Sequence, residues 1–397
     1  MHQTDYDVIV IGGGPAGATA AEKLAKAGAR TLLVDREGRI KPCGGAIPSI
    51  AMRDFDIAPA QIKARVKRAR MTGPSGHQVG MEIGDIGYVG MVDREEFDPY
   101  LRRRAQDAGA AFRKAVFKSL EHRPDRTISA ALQLASSGAT ETVSTRLVIG
   151  ADGANSQVRK AVFGPNKKPP YVFAYHEIVE SPEEIDPDFF EPARCEVIYD
   201  GTVSPDFYGW VFPHGAQTSI GTGSAVKGHS LKEATRVLRG RFQLGDSRTI
   251  RCEGAPLPLK PMRRWDDGKN VVLIGDAAGV VAPSSGEGIY YAMHTGDLAA
   301  QEALGFLQTG RARHLSAVRK RFMKGHGRVF FILGLLQYFW YGSDKRREQF
   351  VAMCRDPDIQ RLTWESYLNK KLVRKDPMAH LRVALKDAGQ LLGLTAR

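Results

Sequence analysis

A chain of 397 residues, 43% hydrophobic and 25% charged, has the composition of a globular protein of two or three domains, which excludes a disordered or fibrous chain. No run reaches the roughly 18 apolar residues that a membrane-spanning helix requires. The balance is basic, 57 Lys+Arg against 44 Asp+Glu, and residues 311–375 alone hold 16 basic and 5 acidic side chains. Nearly all of the excess therefore sits in one C-terminal stretch. Such a stretch suits an anionic surface, and without a nucleic-acid motif beside it a membrane is preferred to nucleic acid.

The first element is the apolar run Tyr6–Ile11, read as a buried parallel strand. Glycines follow it at once and no basic segment precedes it, so no secretory signal is read and a cytoplasmic location is expected. An Ala-rich helix should then run to about Ala27, where Gly28 stops it, and Thr31–Val34 should form a second strand ending at Asp35. A helix is expected over 93–108, with Phe97, Leu101 and Ala105 four apart. Arg146–Gly150 reads as another buried strand. Residues 171–261 alternate in period two, with Gly215-Ala216 between two such runs, which predicts an antiparallel sheet with a hairpin. Lys269–Ile274 returns to a buried strand, and from about Leu298 the pattern is helical and basic. Cys43, Cys195, Cys252 and Cys354 are scattered and form no CxxC pair. That argues against a zinc ribbon, a cysteine-ligated cluster or a structural disulfide.

The strand–turn–helix–strand unit at the N-terminus carries Gly12, Gly14 and Gly17 as G-x-G-x-x-G, with Asp35 18 residues after the last of them. The first glycine permits a tight turn, the second lets a pyrophosphate approach the backbone, and the third lets helix pack on strand. The anion then sits on the helix N-terminus, beside Ala16, and the Asp35 carboxylate accepts hydrogen bonds from ribose hydroxyls. This unit alone does not separate FAD from NAD. Two further motifs bear on the choice: Gly150-Ala151-Asp152-Gly153-Ala154-Asn155-Ser156 with Arg159, and Gly275-Asp276-Ala277-Ala278-Gly279 followed by Pro283 and Gly286-Glu287-Gly288-Ile289.

With these three motifs the sequence resembles the FAD-dependent oxidoreductases of the para-hydroxybenzoate hydroxylase fold. The resemblance implies an α/β protein: a Rossmann-like FAD-binding domain (1–165 and 262–310), an inserted antiparallel β-sheet substrate domain (166–261) and a C-terminal basic helical region (311–397). It implies that Gly12, Gly14, Ala16, Gly17, Asp35, Arg36, Cys43, Gly44, Gly45, Arg94, Asp152, Asp276, Gly286, Gly288 and Ile289 contact the cofactor. A positive helix end beside the ring would favour anionic reduced flavin.

Lys41-Pro42-Cys43-Gly44-Gly45-Ala46-Ile47-Pro48 and Pro205-Asp206-Phe207-Tyr208-Gly209-Trp210-Val211-Phe212-Pro213, a P-x-x-Y-x-W-x-F-P pattern, narrow the choice. Both resemble the geranylgeranyl reductase family, and the first its chlorophyll and bacteriochlorophyll branch. The resemblance implies reduction of a geranylgeranyl tail, on a pigment or as the diphosphate, to phytyl in three steps, with NADPH as electron donor. An aromatic hydroxylase of the same fold is the alternative.

An isolated alkene accepts hydride poorly unless a proton arrives with it. Cys43 is the first candidate acid, and Tyr208 and His214 are the others. Tyr208, Trp210 and Phe212 alternate onto one strand face and would offer an isoprenoid apolar area and π faces. Residues 329–341 hold six aromatics and only Gln337 as a clearly polar side chain between basic flanks, which predicts an interfacial anchor or a channel lid. A peripheral site on the photosynthetic membrane, beside a (bacterio)chlorophyll synthase, follows from the resemblance.

Overall fold

The computed structural model describes residues 4–370. The N-terminal third contains β1 (Tyr6–Ile11), α1 (Pro15–Lys26), β2 (Thr31–Asp35), β3 (Ala46–Pro48), α2 (Ser49–Asp54), β4 (Ala64–Val66), β5 (Arg68–Thr72), β6 (Gln78–Glu82) and β7 (Val89–Met91). Next come α3 (Arg94–Asp107), β8 (Ala111–His122), β9 (Ile128–Leu134), β10 (Thr140–Gly150) and α4 (Gln157–Phe163). Then follow β11 (Tyr171–Glu180), β12 (Arg194–Ile198), β13 (Gly209–His214), β14 (Gln217–Ser224), α5 (Leu231–Arg241) and β15 (Thr249–Pro258). The last are β16 (Val271–Leu273), α6 (Ile289–Thr309), α7 (Arg313–Trp340), α8 (Asp344–Met353) and α9 (Pro357–Asn369).

Two compact units divide the chain. Among the described residues the first collects 4–41, 94–172 and 255–330, and the second 42–93, 173–254 and 331–370. This grouping differs from the division expected from sequence. Residues 42–93 join the second unit because β5, although it lies far from the insert in sequence, pairs with β12 (Cys195 opposite Ala69). Residues 371–397 of the expected basic helical region, and with them the end of the basic stretch at Lys375, lie outside the described residues.

In the first unit a parallel layer runs β8–β2–β1–β10–β16. Its central residues Val8, Ile9, Val10, Leu32, Leu33, Val148 and Ile149 are fully buried, as strands covered on both faces require. The far ends of β8 and β10 continue into an antiparallel meander with β9. Helices α1 and α6 pack closely because Gly296 has no side chain: a Cβ there would overlap the Ala16 carbonyl oxygen.

The second unit is built on a seven-stranded sheet ordered β15–β11–β14–β13–β12–β5–β6. The expected β13–β14 hairpin is present, with Gly215-Ala216 at its turn. The sheet is not wholly antiparallel, since β12 and β5 run parallel, and α5 interrupts the strands expected over 171–261. One sheet face packs on α5 through Val211, Ile220, Leu238 and Phe242. Val211 points into that core, so its alternating neighbours Trp210 and Phe212 point away from it.

Candidate functional sites

In the first unit the C-terminal end of β1 opens into the glycine turn. Gly12 takes φ +105°, and a Cβ there would meet the Ala151 backbone, so the turn lies directly against the Gly150–Ser156 motif. A Cβ on Gly17 would overlap the Gly12 carbonyl oxygen. Gly14 is the N-cap of α1 and supplies no side-chain cap; Pro15 follows, and a Cβ on Gly14 would meet nothing nearer than Asp98 Oδ2 at 4.0 Å. The helix therefore begins with uncapped N–H groups at Ala16 and Gly17 and open room above them, which is a cradle for an anion.

Asp35 ends β2 and accepts hydrogen bonds from the N–H of Gly13 (2.6 Å) and Glu37 (2.7 Å). It stands beside the cradle, and Arg36 next to it is exposed. Arg94 is buried and makes two 2.7 Å bonds to Asp98, which neutralises the carboxylate that faces the Gly14 position. Asp152 accepts from the Ser156 hydroxyl (2.5 Å) and from the N–H of Gln157 (2.6 Å) and Val158 (3.1 Å). It caps α4 and so fixes the turn that Gly12 packs on.

The second glycine motif reaches the same place. Ala16 Cβ lies 2.9 Å from where a Gly275 Cβ would stand, and buried Asp276 is paired with Lys41. Gly286 (φ +65°) turns the chain, Gly288 is the N-cap of α6, and buried Ile289 begins that helix. The Glu287 side chain accepts from the Tyr290 N–H at 2.8 Å. Two helix N-termini, a carboxylate at the end of β2 and an open anion cradle fit FAD.

A second cluster lies within the second unit. Tyr208, Trp210 and Phe212 form a row, with ring centroids 6.2 Å and 6.4 Å apart. The turn Cys43-Gly44-Gly45 lies on that row: a Cβ on Gly44 would stand 2.8 Å from the Phe212 ring and 3.7 Å from Trp210 Nε1. Gly45 takes φ +70°, where a Cβ would overlap the His214 ring. The two motifs that pointed to a prenyl reductase, residues 41–48 and 205–213, are thus in contact. Cys43 is partly exposed, and its Sγ accepts the Gly45 N–H at 3.4 Å. Nothing bridges the four cysteines as disulfides, and among the described residues no cluster of metal-ligating side chains occurs.

Tyr208 is buried beside Tyr199 and Phe207, and burial pushes its phenol far above the ordinary range, with the Tyr341 phenol and the Cys43 thiol adding to the effect. His214 uses both ring nitrogens, one toward Asp93 Oδ1 (2.8 Å) and one toward the Gly44 carbonyl (3.0 Å). Burial opposes ionisation of Asp93, yet the hydrogen bond and charge of His214 outweigh it and hold the carboxyl below its ordinary value of 3.8.

Trp210 is oriented from behind. Its Nε1–H donates to Ser219 Oγ (3.1 Å), which also meets His176 Nδ1 (3.1 Å), and His176 Nε2 meets Glu253 (2.6 Å). Asp93, His176, Ser219 and Glu253 were not singled out from the sequence, nor was the pairing of Lys41 with Asp276. No local motif marks those four residues, and only tertiary pairing over long separations brings them together.

The parallel layer, the glycine cradle and the Gly275–Asp276 turn define an FAD-dependent oxidoreductase. Comparison with known proteins agrees: the family model described as an FAD binding domain matches residues 5–175. A solved geranylgeranyl bacteriochlorophyll reductase-like protein from Thermoplasma acidophilum shares the fold, with a TM-score of 0.78 at 22% identity, covering 94% of this chain and 99% of that one. A geranylgeranyl diphosphate reductase from Rhodobacter capsulatus is 50% identical over 389 residues, 98% of each chain. One from Synechocystis is 36% identical over 97% of each. The chain belongs to the geranylgeranyl diphosphate reductase family.

Proposed function

We propose that this protein saturates three isolated double bonds of a geranylgeranyl tail, carried by (bacterio)chlorophyll or as the diphosphate, to give the phytyl tail. The first unit is the FAD domain and the second the substrate domain. Bound FAD supplies hydride, and NADPH is the proposed reductant, one per double bond. The cradle of Gly12, Gly14 and Gly17 with Ala16 holds the pyrophosphate. Asp35 and Arg36 hold the adenosine end, and Asp276, Gly286, Gly288 and Ile289 the flavin end, with Arg94 and Asp152 shaping the cradle.

Each saturation adds one hydride and one proton across the C=C bond. An unconjugated alkene cannot delocalise incoming negative charge, so the proton must arrive as the hydride does, from an acid within about 3 Å or one water away. Cys43 is that acid. Its Sγ–H bond breaks as the C–H bond forms, the Gly45 N–H stabilises the resulting thiolate, and solvent reprotonates the partly exposed sulfur. The Tyr208–Trp210–Phe212 row binds the isoprenoid and faces transient positive charge with π density. The observation that carries this reading is the Cys43–Gly45 turn seated on the aromatic row.

The tail of such a substrate lives in lipid. On α7, Phe331, Ile332, Leu335, Tyr338 and Phe339 are all exposed, 67% and 74% for Phe331 and Tyr338, and exposed Lys345 and Arg346 follow. Among the described residues no helix is long and apolar enough to cross a membrane. This apolar face with cations beside it supports peripheral binding to an anionic photosynthetic membrane, where a (bacterio)chlorophyll synthase would be the neighbouring enzyme.

The test is Cys43→Ala with Cys43→Ser. Both should keep FAD and its reduction by NADPH. Ala should slow alkene-dependent reoxidation by on the order of 10²-fold or more, and Ser, a far weaker acid than a thiol near ~8.5, should not restore it. Parental reoxidation in Cys43→Ala would remove Cys43 from the chemistry.

A further inference from the structure

The His214 ring, only 3% exposed, faces two groups that are acceptors: the Asp93 carboxylate at Nδ1 and the Gly44 carbonyl at Nε2. Both bonds form only if both ring nitrogens donate. Lys63 and Arg251 are the further charges acting on Asp93. A ring bearing one proton could donate to only one of the two acceptors, so Asp93 and Gly44 together fix the ring from both sides.

The Gly44 carbonyl is one of three anchors on the turn. The Gly45 carbonyl accepts from the Val92 N–H at 2.9 Å, and the Gly45 N–H points in to Cys43 Sγ. Val92 immediately precedes Asp93, so the end of β7 grips the turn directly and through His214. Because Gly45 leaves no room for a Cβ between His214 and the Val92 carbonyl, the fit is close on both sides.

We infer that Asp93 and His214 are a positioning pair: they fix the Gly44 carbonyl and thereby aim the Cys43 thiol. The inference rests on the proposed role of Cys43 for its functional meaning but not for its structural one. It also assigns His214 a task different from proton donation to substrate, since both its nitrogens are occupied.

Side-chain geometry supplies the test. Asn at 214 keeps a donor near the Nδ1 position and loses the one at Nε2, whereas Gln reaches the Nε2 position and loses the other. Hydrogen–deuterium exchange with mass spectrometry is followed on the FAD-loaded, full-length protein, in the peptide covering residues 42–48 and in β14 as a control. His214→Asn and Asp93→Ala should raise exchange in 42–48 by roughly tenfold or more, the size of losing one charge-assisted hydrogen bond. His214→Gln should raise it less, and β14 and flavin content should not change. In turnover, His214→Asn and Asp93→Ala should lower kcat with little change in KM, and His214→Gln should recover part of kcat.

Unchanged exchange of 42–48 in His214→Asn or Asp93→Ala overturns the pairing. So does an equal rise in β14, which would mean general loosening. If exchange responds as expected while Cys43→Ala turns over normally, the positioning pair stands and the acid role of Cys43 fails, so the two claims are separable.

Discussion

Gly14→Val separates the anion cradle from the fold. Gly14 has φ −75° and ψ −174°, extended backbone that valine adopts readily, and the nearest atom to a new Cβ is 4.0 Å away. The chain should fold. What the side chain fills is the space over the first turn of α1, where Pro15 has no N–H and the Ala18 N–H already bonds the Gly14 carbonyl at 2.9 Å. The Ala16 and Gly17 N–H groups are the donors left for a pyrophosphate. Two hydrogen bonds to a charged acceptor contribute about 1.5–3 kcal/mol each, and the helix field about 0.3–1 kcal/mol more. Losing them amounts to roughly 3–7 kcal/mol, or on the order of 10²–10⁵ in FAD affinity. The assay is flavin absorbance of the purified protein, followed by fluorescence titration of the apoprotein with FAD and a melt without it. Gly17→Val is the contrast: its side chain would overlap the Gly12 carbonyl, so it should fail in the melt itself. Gly14→Val that binds FAD at wild-type affinity would refute the cradle.

Three further outcomes follow from the second unit. Because the folded Asp93 carboxyl lies below its ordinary 3.8, its contribution to stability is complete above that pH and is lost as pH falls through the folded value. The stability gap between wild type and Asp93→Asn in denaturant titrations should therefore close as pH falls below about 4, whereas a gap that widens below that pH contradicts the lowered carboxyl. Phe331→Ser with Tyr338→Ser should reduce sedimentation with anionic vesicles by roughly tenfold or more, since each apolar side chain buried contributes about 1.5–3 kcal/mol; unchanged partition would remove α7 from the membrane contact. Tyr208→Phe should keep alkene-dependent reoxidation within a few-fold, because burial holds that phenol protonated; a loss of about 10²-fold would move the acid role to Tyr208.

The parts of the fold that rest on local pattern were legible in the sequence. Strand β1, helix α1 and strand β2 carry their own periodicity, stops and glycines, and the β13–β14 hairpin announces itself by alternation around Gly215. Strand β5, Arg-Ala-Arg-Met-Thr, does not: two of its five residues are arginines, and it is a strand because β12 and β6 flank it. Helix α5 is short, and only Ala234 and Leu238 of its apolar residues are buried, among charged neighbours, so the strand alternation on either side of it dominates the reading. The site divides the same way. Cys43, Trp210 and Phe212 stand in recognisable motifs, while Asp93 gains its partner from 121 residues away and His176 gains Glu253 from 77 away. A polar residue acquires such a role from tertiary pairing, which single-chain periodicity does not encode.

The central claim, that hydride goes to an isoprenoid double bond, is tested most directly without oxygen. The FAD enzyme is reduced, then mixed under anaerobic conditions with geranylgeranyl-bacteriochlorophyll or, separately, with geranylgeranyl diphosphate, and flavin absorbance is followed. Reduction of a tail predicts return of the oxidised spectrum with at least one of them, and mass gain of the tail in steps of two hydrogens. A spectrum that stays reduced with both, and recovers only when oxygen is admitted with an aromatic substrate that is then hydroxylated, would contradict it.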